Sequence, residues 1–342
     1  MSARACIIPV FVPHLGCPHN CVFCNQRRIS GSEGEATAET VKQTIEQSAA
    51  LPRSGAKRQL AFYGGSFTAI ERERQEELLG AAAEAVALGE IDAIRLSTRP
   101  DAIDGEVLAR LRRYGVETVE LGAQSMDEEV LRRSGRGHTA DDVVRAAGAV
   151  KAAGFRLVLQ MMTGLPGDSP EKDAETAERL IALKPDGVRI YPTVIVRDTA
   201  LYDLWRAGKY REHTVEDAVE VCARLVPLFE DAGIPIVRLG LNPTEELSRG
   251  TAVAGAYHPA LGELVRSRML LNKARSLLAG TGRGSRVTLG VNAAELSQMI
   301  GQKRRNVGAL CEELGLRELR VRSCEAERGE IVILSIEKSE EL

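Results

Sequence analysis

Three cysteines, Cys17, Cys21 and Cys24, stand within eight residues of each other in a 342-residue chain that holds seven. Their spacing is C-x3-C-x2-C, and they follow a strand-like run, Ile7–Val12, across a loop of Pro, Gly and His. A short loop can aim three thiolates at one soft-metal site. Tetrahedral zinc wants four protein ligands, and His14 or His19 could supply the fourth. An iron–sulfur cluster that only transfers electrons takes four thiolates. Three thiolates on a 4Fe–4S cluster leave one iron open for a substrate or cofactor to chelate. Cys222, Cys311 and Cys324 have no partner at ligand spacing and read as small apolar fillers or surface thiols.

Other residues that could touch a ligand sit at the ends of short apolar runs. Gly64-Gly65-Ser66 follows Gln59–Tyr63, and two glycines let the backbone approach a ligand closely. Ser97 and Arg99 follow Ala93–Ser97, Gln124 follows Thr118–Leu121, and Gly164-Leu165-Pro166-Gly167-Asp168 follows Leu157–Met161. Further strands are expected at Gly187–Tyr191 and Ile234–Leu239. Between them, amphipathic helices are expected at Ala38–Ala50, Arg72–Ala87, Gly105–Tyr114, Ala140–Ala153, Lys172–Leu183 and Val215–Ala232. Strands alternating with helices imply βαβ units and a parallel sheet. The expected fold is α/β, a partial or full parallel (β/α) barrel whose C-terminal strand ends carry the site.

The pattern changes near Pro259. A long helix, Ala260–Leu278, leads through a Gly-rich linker to a β-α-α-β-β series: Arg286–Val291, Ala293–Ile300, Asn306–Leu314, Leu319–Arg322 and Ile331–Ile336. The reading is therefore a core over residues 1–259 and a helix plus basic α/β module over 260–342. Net charge is −3, which excludes a uniformly basic nucleic-acid binder, yet residues 261–323 hold twelve Lys/Arg to five Asp/Glu. The longest uncharged run, Ala5–Gln26, is broken by Pro9, Pro13 and Pro18, so neither a membrane span nor a signal peptide is expected. With an odd cysteine count, this reads as a cytoplasmic chain without a disulfide framework.

The cysteine spacing with Phe23 before the third cysteine resembles the radical S-adenosylmethionine (SAM) superfamily. The resemblance implies a 4Fe–4S cluster on Cys17, Cys21 and Cys24, with SAM on the open iron and cleaved reductively to a 5′-deoxyadenosyl radical. It implies SAM contacts at Phe23, Gly64, Gly65, Ser97, Arg99, Gln124, Gly164 and Pro166, and a reductant such as flavodoxin or ferredoxin. Ser66 stands where that family commonly has Glu, so the Gly64-Gly65 contact would be mainly backbone. Glu120-Leu121-Gly122-Ala123-Gln124-Ser125, Gly137-His138-Thr139 and Arg189-Ile190-Tyr191-Pro192-Thr193 resemble the Elongator catalytic-subunit family, which modifies tRNA wobble uridine. That family's acetyltransferase domain is not expected in this chain, so the sequence does not support the acyl half of that chemistry.

The C-terminal series resembles a KH-like RNA-binding module, in which a G-x-x-G loop clamps phosphates. Gly301 matches the first glycine, and Arg304 replaces the second. Lys303, Arg304 and Arg305 are the candidate RNA contacts, and tRNA or another RNA is the expected substrate. Two rivals stay open: a radical SAM enzyme on a porphyrinogen-type small molecule, and a non-catalytic iron–sulfur or zinc RNA-binding protein.

Overall fold

A computed structural model describes residues 6–12, 17, 21–25, 36–49, 56–241 and 251–338. Seven parallel strands form one open sheet in the order β1-β2-β3-β4-β5-β6-β8, so the barrel is partial. The strands are β1 Cys6–Phe11, β2 Arg58–Tyr63, β3 Ala93–Thr98, β4 Val116–Gln124, β5 Arg156–Thr163, β6 Gly187–Pro192 and β8 Ile236–Leu239. The helices between them are α1 Ala38–Ala49, α2 Arg72–Ala87, α3 Gly105–Arg113, α4 Glu128–Arg133, α5 Ala140–Ala152, α6 Pro170–Ala182, α7 Ala200–Arg206 and α8 Val215–Asp231.

Alternation along the strands divides the sheet into two faces. Leu60, Phe62, Ile94, Leu96, Val119 and Leu121 are fully buried on the apolar face, as are the helix residues Leu78, Leu79, Leu111 and Val143. The alternate positions are polar: Gln59, Tyr63, Arg95, Ser97, Thr118, Glu120, Gln160, Arg189 and Tyr191. Capping fixes the helix starts. Asp104, Thr139, Ser169 and Thr214 each accept a first-turn amide, and Thr139 and Thr214 complete reciprocal capping boxes.

Four elements were not anticipated. Helix α4 and helix α7 are too short to show an apolar period. Strand β7 (Val194–Val196) pairs antiparallel with β9 (Ala252–Gly255), a partner more than fifty residues away that no local pattern reveals.

By compactness the chain divides into Met1–Ala218 with Leu225–Pro259, and Val219–Arg224 with Ala260–Leu342. The second unit contains α9 (Leu261–Leu277), then β10 (Arg286–Val291), α10 (Leu296–Ile300), α11 (Arg305–Leu314), β11 (Glu318–Ser323) and β12 (Ile331–Glu337). Strand β10 is central, parallel to β11 and antiparallel to β12. Its own core joins Leu271, Leu278, Val287, Leu289, Val291, Met299 and Leu310. The expected helix Ala293–Ile300 is instead a 3-10 turn, Ala293–Glu295, whose N-cap Asn292 accepts from Ala294 N, followed by α10. No described helix is long and apolar enough to cross a membrane.

Candidate functional site at the C-terminal strand ends

The cysteine loop is tied to two elements through one residue. Val22 N donates to Ser134 O at the end of α4 (3.0 Å), and Val22 O accepts from Leu201 N in the first turn of α7 (2.7 Å). Cys24 N donates to Cys21 O at 3.0 Å, closing a tight turn. Phe23, like Tyr191, packs against the buried cluster of Val130, Met162 and Leu165. His14 and His19 lie outside the described residues.

Cys17 and Cys21 lie close enough to interact electrostatically. Burial first, then the Cys21 thiol, raises the pKa of Cys17, while the Arg99 and Arg136 guanidiniums and an amide of Ser66 oppose the rise. Arg136, absent from the sequence candidates, is buried and donates from Nη1 to Cys21 Sγ at 3.4 Å and from Nη2 to Gly122 O at 2.7 Å. Arg99 is also buried. Its guanidinium forms a bidentate pair with Asp101 (2.9 and 2.8 Å) and donates from Nη2 to Arg136 O at 2.5 Å. The backbone N–H of Arg99 donates to Ser66 Oγ at 3.2 Å.

His138 is buried, and its neighbour Thr139 caps α5. Its Nε2 is 3.1 Å from Ala123 O, which makes Nε2 the donor and Nδ1 an acceptor. Burial, then Arg136 and Arg99, push its pKa down to about 4, so it is neutral at pH 7. Among the described residues Arg99 Nη1, Arg136 Nε and His138 Nδ1 are buried with no partner. Buried polar atoms left unmade are costly, and two cationic groups beside two thiols suit an anionic, thiolate-bound cluster. The donor set therefore fits a 4Fe–4S group, although no three His, Cys, Asp or Glu residues converge to hold a metal among the described residues.

The remaining candidates fall on neighbouring strand ends. Gly64 has φ +103°, a region open to glycine, and Gly65 follows it. Ser97 is half-buried on the polar face of β3. Gln124 ends β4 in the left-handed region at φ +66°, beside a register shift, and accepts from Gln160 Nε2 at 3.0 Å. Gly164 has φ +72°, and Pro166 is buried. Tyr210 donates its hydroxyl to Gly164 O at 2.6 Å. Asp168 faces the buried Asp173. Burial first, then Asp168, pushes Asp173 up to about 10, so this pair shares one proton at neutral pH.

Deeper on the polar face Glu120 is held by two arginines and a tyrosine. Arg189 Nε lies 2.7 Å from Oε2, Arg95 Nε 2.8 Å from Oε1, and Tyr63 Oη donates to Oε1 at 2.9 Å. Arg189 Nη1 donates to Tyr191 Oη at 3.1 Å. Tyr63, Glu120 and Arg189 thus link β2, β4 and β6 across the sheet.

In the second unit, Lys303 and Arg304 are both left-handed, at φ +51° and +62°, and Arg304 is the N-cap of α11. The position where a G-x-x-G loop has its second glycine thus adopts a glycine-like backbone with an arginine.

Comparison with known proteins places this geometry. Residues 11–180 match the Radical SAM superfamily and residues 185–270 match the radical SAM C-terminal domain. The chain is 30% identical to Elongator complex protein 3 of Homo sapiens over 245 residues, 66% of this chain and 44% of that protein. It is 29% identical to the tRNA uridine(34) acetyltransferase of Methanocaldococcus jannaschii over 200 residues, 53% of this chain and 37% of that one. The chain thus spans less than half the length of the curated relatives it matches. In fold it resembles the archaeal Methanocaldococcus infernus Elp3 with an N-terminal deletion: TM-score 0.62 at 24% identity, covering 80% of this chain and 64% of that one. The three-cysteine loop, the open seven-stranded parallel sheet and the two matched domains make this chain a radical SAM enzyme, a member of the superfamily that uses a 4Fe–4S cluster and SAM.

Proposed function

We propose that this enzyme modifies tRNA, with Cys17, Cys21 and Cys24 holding the cluster and Phe23, Gly64, Gly65, Ser97, Arg99, Gln124, Gly164 and Pro166 surrounding SAM. The observation that carries the substrate reading is the similarity to Elongator complex protein 3 across 245 residues, 66% of this chain. The bound cluster and SAM would supply one-electron reductive cleavage and hence a radical able to abstract hydrogen.

The chain's own residues do the rest. Thiols lose their protons on binding metal, and Arg99 and Arg136 favour that loss at Cys17. Backbone at Gly64, which carries no side chain, admits close approach of a ligand. The Tyr63, Glu120, Arg189 and Tyr191 network holds the substrate face rigid by satisfying its own polar groups. Lys303, Arg304 and Arg305 would meet RNA phosphate. A low-potential protein donor such as flavodoxin or ferredoxin would supply the electron.

Anaerobically reconstituted protein should hold about four irons per chain, yield 5′-deoxyadenosine from SAM with dithionite, and lose both with Cys21→Ala. Mass spectrometry of tRNA from a strain lacking the protein should reveal a missing nucleoside. One tightly held zinc with no iron uptake overturns the cluster assignment. An unchanged tRNA nucleoside profile overturns the substrate.

A further inference from the structure

We propose that Arg136 is a positioning residue that raises the reduction potential of the cluster through an N–H···S bond to Cys21; this rests on the cluster assignment above. Arg136 lies 115 residues from Cys21 in sequence, and only the fold brings Nη1 to 3.4 Å from Cys21 Sγ. The guanidinium is not free to wander. Nη2 is anchored on Gly122 O at 2.7 Å, and the Arg136 carbonyl accepts from Arg99 Nη2. Gly122 leaves the room this needs: a Cβ there would lie 3.3 Å from Arg136 Nη2 and 2.8 Å from Gln124 Nε2.

The charge balance favours the reduced state. Reduction takes one electron from an external donor into the cluster and moves no proton, so the cluster becomes one unit more negative. Arg136 and Arg99 carry two positive charges beside the thiols, Asp101 offsets one through its pair with Arg99, and His138 is neutral. One net positive charge remains, desolvated and hydrogen-bonded to a ligand sulfur. Hydrogen bonds to cluster sulfurs and burial are among the levers that set such potentials.

The test compares Arg136→Gln, Arg136→Lys and Asp101→Asn with the wild type, each reconstituted anaerobically and titrated electrochemically without SAM, so a lost contact to SAM cannot mimic the effect. At the potential where the wild type is half reduced, Arg136→Gln with a full iron complement should show about a tenfold lower reduced-to-oxidised ratio, which for one electron is about 59 mV. Arg136→Lys should retain most of the wild-type ratio. Asp101→Asn should shift in the opposite direction, towards easier reduction. An unchanged ratio in iron-loaded Arg136→Gln overturns the proposal. Should that variant fail to hold iron, Asp101→Asn decides, and an unchanged or lowered ratio there overturns it. A wild type that takes up no iron defeats the cluster assignment instead.

Discussion

His213 occupies the space that any side chain at Gly164 would need. A Cβ built on Gly164 would lie 2.2 Å from His213 Cγ, while His213 Nε2 sits 3.1 Å from Thr163 Oγ1. The loop at the end of β5 is thereby fixed by a ring from the segment before α8.

Gly164→Ala should therefore destabilise the protein by about 2–4 kcal/mol, summing a left-handed backbone penalty and overpacking. Adding His213→Ala should recover part of that loss, because it removes the atoms in conflict. Denaturant midpoints of the two single variants and the double variant check this. Simple additivity would show that the overlap is not what requires glycine.

His138 should impose an acid limb on stability. Its pKa is about 4 in the fold against an ordinary 6.5. As pH falls through that window the unfolded chain takes up a proton that the folded chain refuses, so stability falls as pH falls, by about 3 kcal/mol at most. His138→Gln should flatten the profile between pH 6.5 and 4. An NMR titration showing the ring protonated at pH 6 would contradict the neutral assignment.

The Asp168 and Asp173 pair should act at the other end of the pH range. The folded pKa of Asp173 is raised, so the stabilisation is complete below the ordinary carboxylate pKa and is lost as pH rises towards about 10. Asp173→Asn supplies a permanent donor to Asp168 and should make the protein relatively more stable at pH 8–9 than at pH 5. Thermal unfolding across that range would show a parallel curve if the pair shared no proton.

RNA affinity should respond to Lys303, Arg304 and Arg305 together. Their change to Ala should weaken tRNA binding and flatten its salt dependence, with iron content and SAM cleavage retained. Arg304→Gly separates backbone from charge. It should add about 1 kcal/mol of stability by relieving the left-handed residue, yet lower RNA affinity. Unchanged affinity and salt slope in the triple variant would leave this turn as a solvated basic face.

Local pattern determined much of this protein. Apolar periodicity set every strand of the seven-stranded sheet within a few residues, because each strand buries one continuous face. The cysteine spacing marked the loop, because three ligands to one site must come from a short segment. Glycine marked the strand ends, because turns there need φ that other residues resist. Arg136 carries no such local mark, and the motifs around His138, Glu120 and Arg189 do not show which partners those side chains take. Arg136 lies 115 residues from Cys21, and Arg189 lies 69 residues from Glu120. Their burial, charge and partners exist only once parallel strands bring distant segments into register, and that register is fixed by packing across the whole sheet.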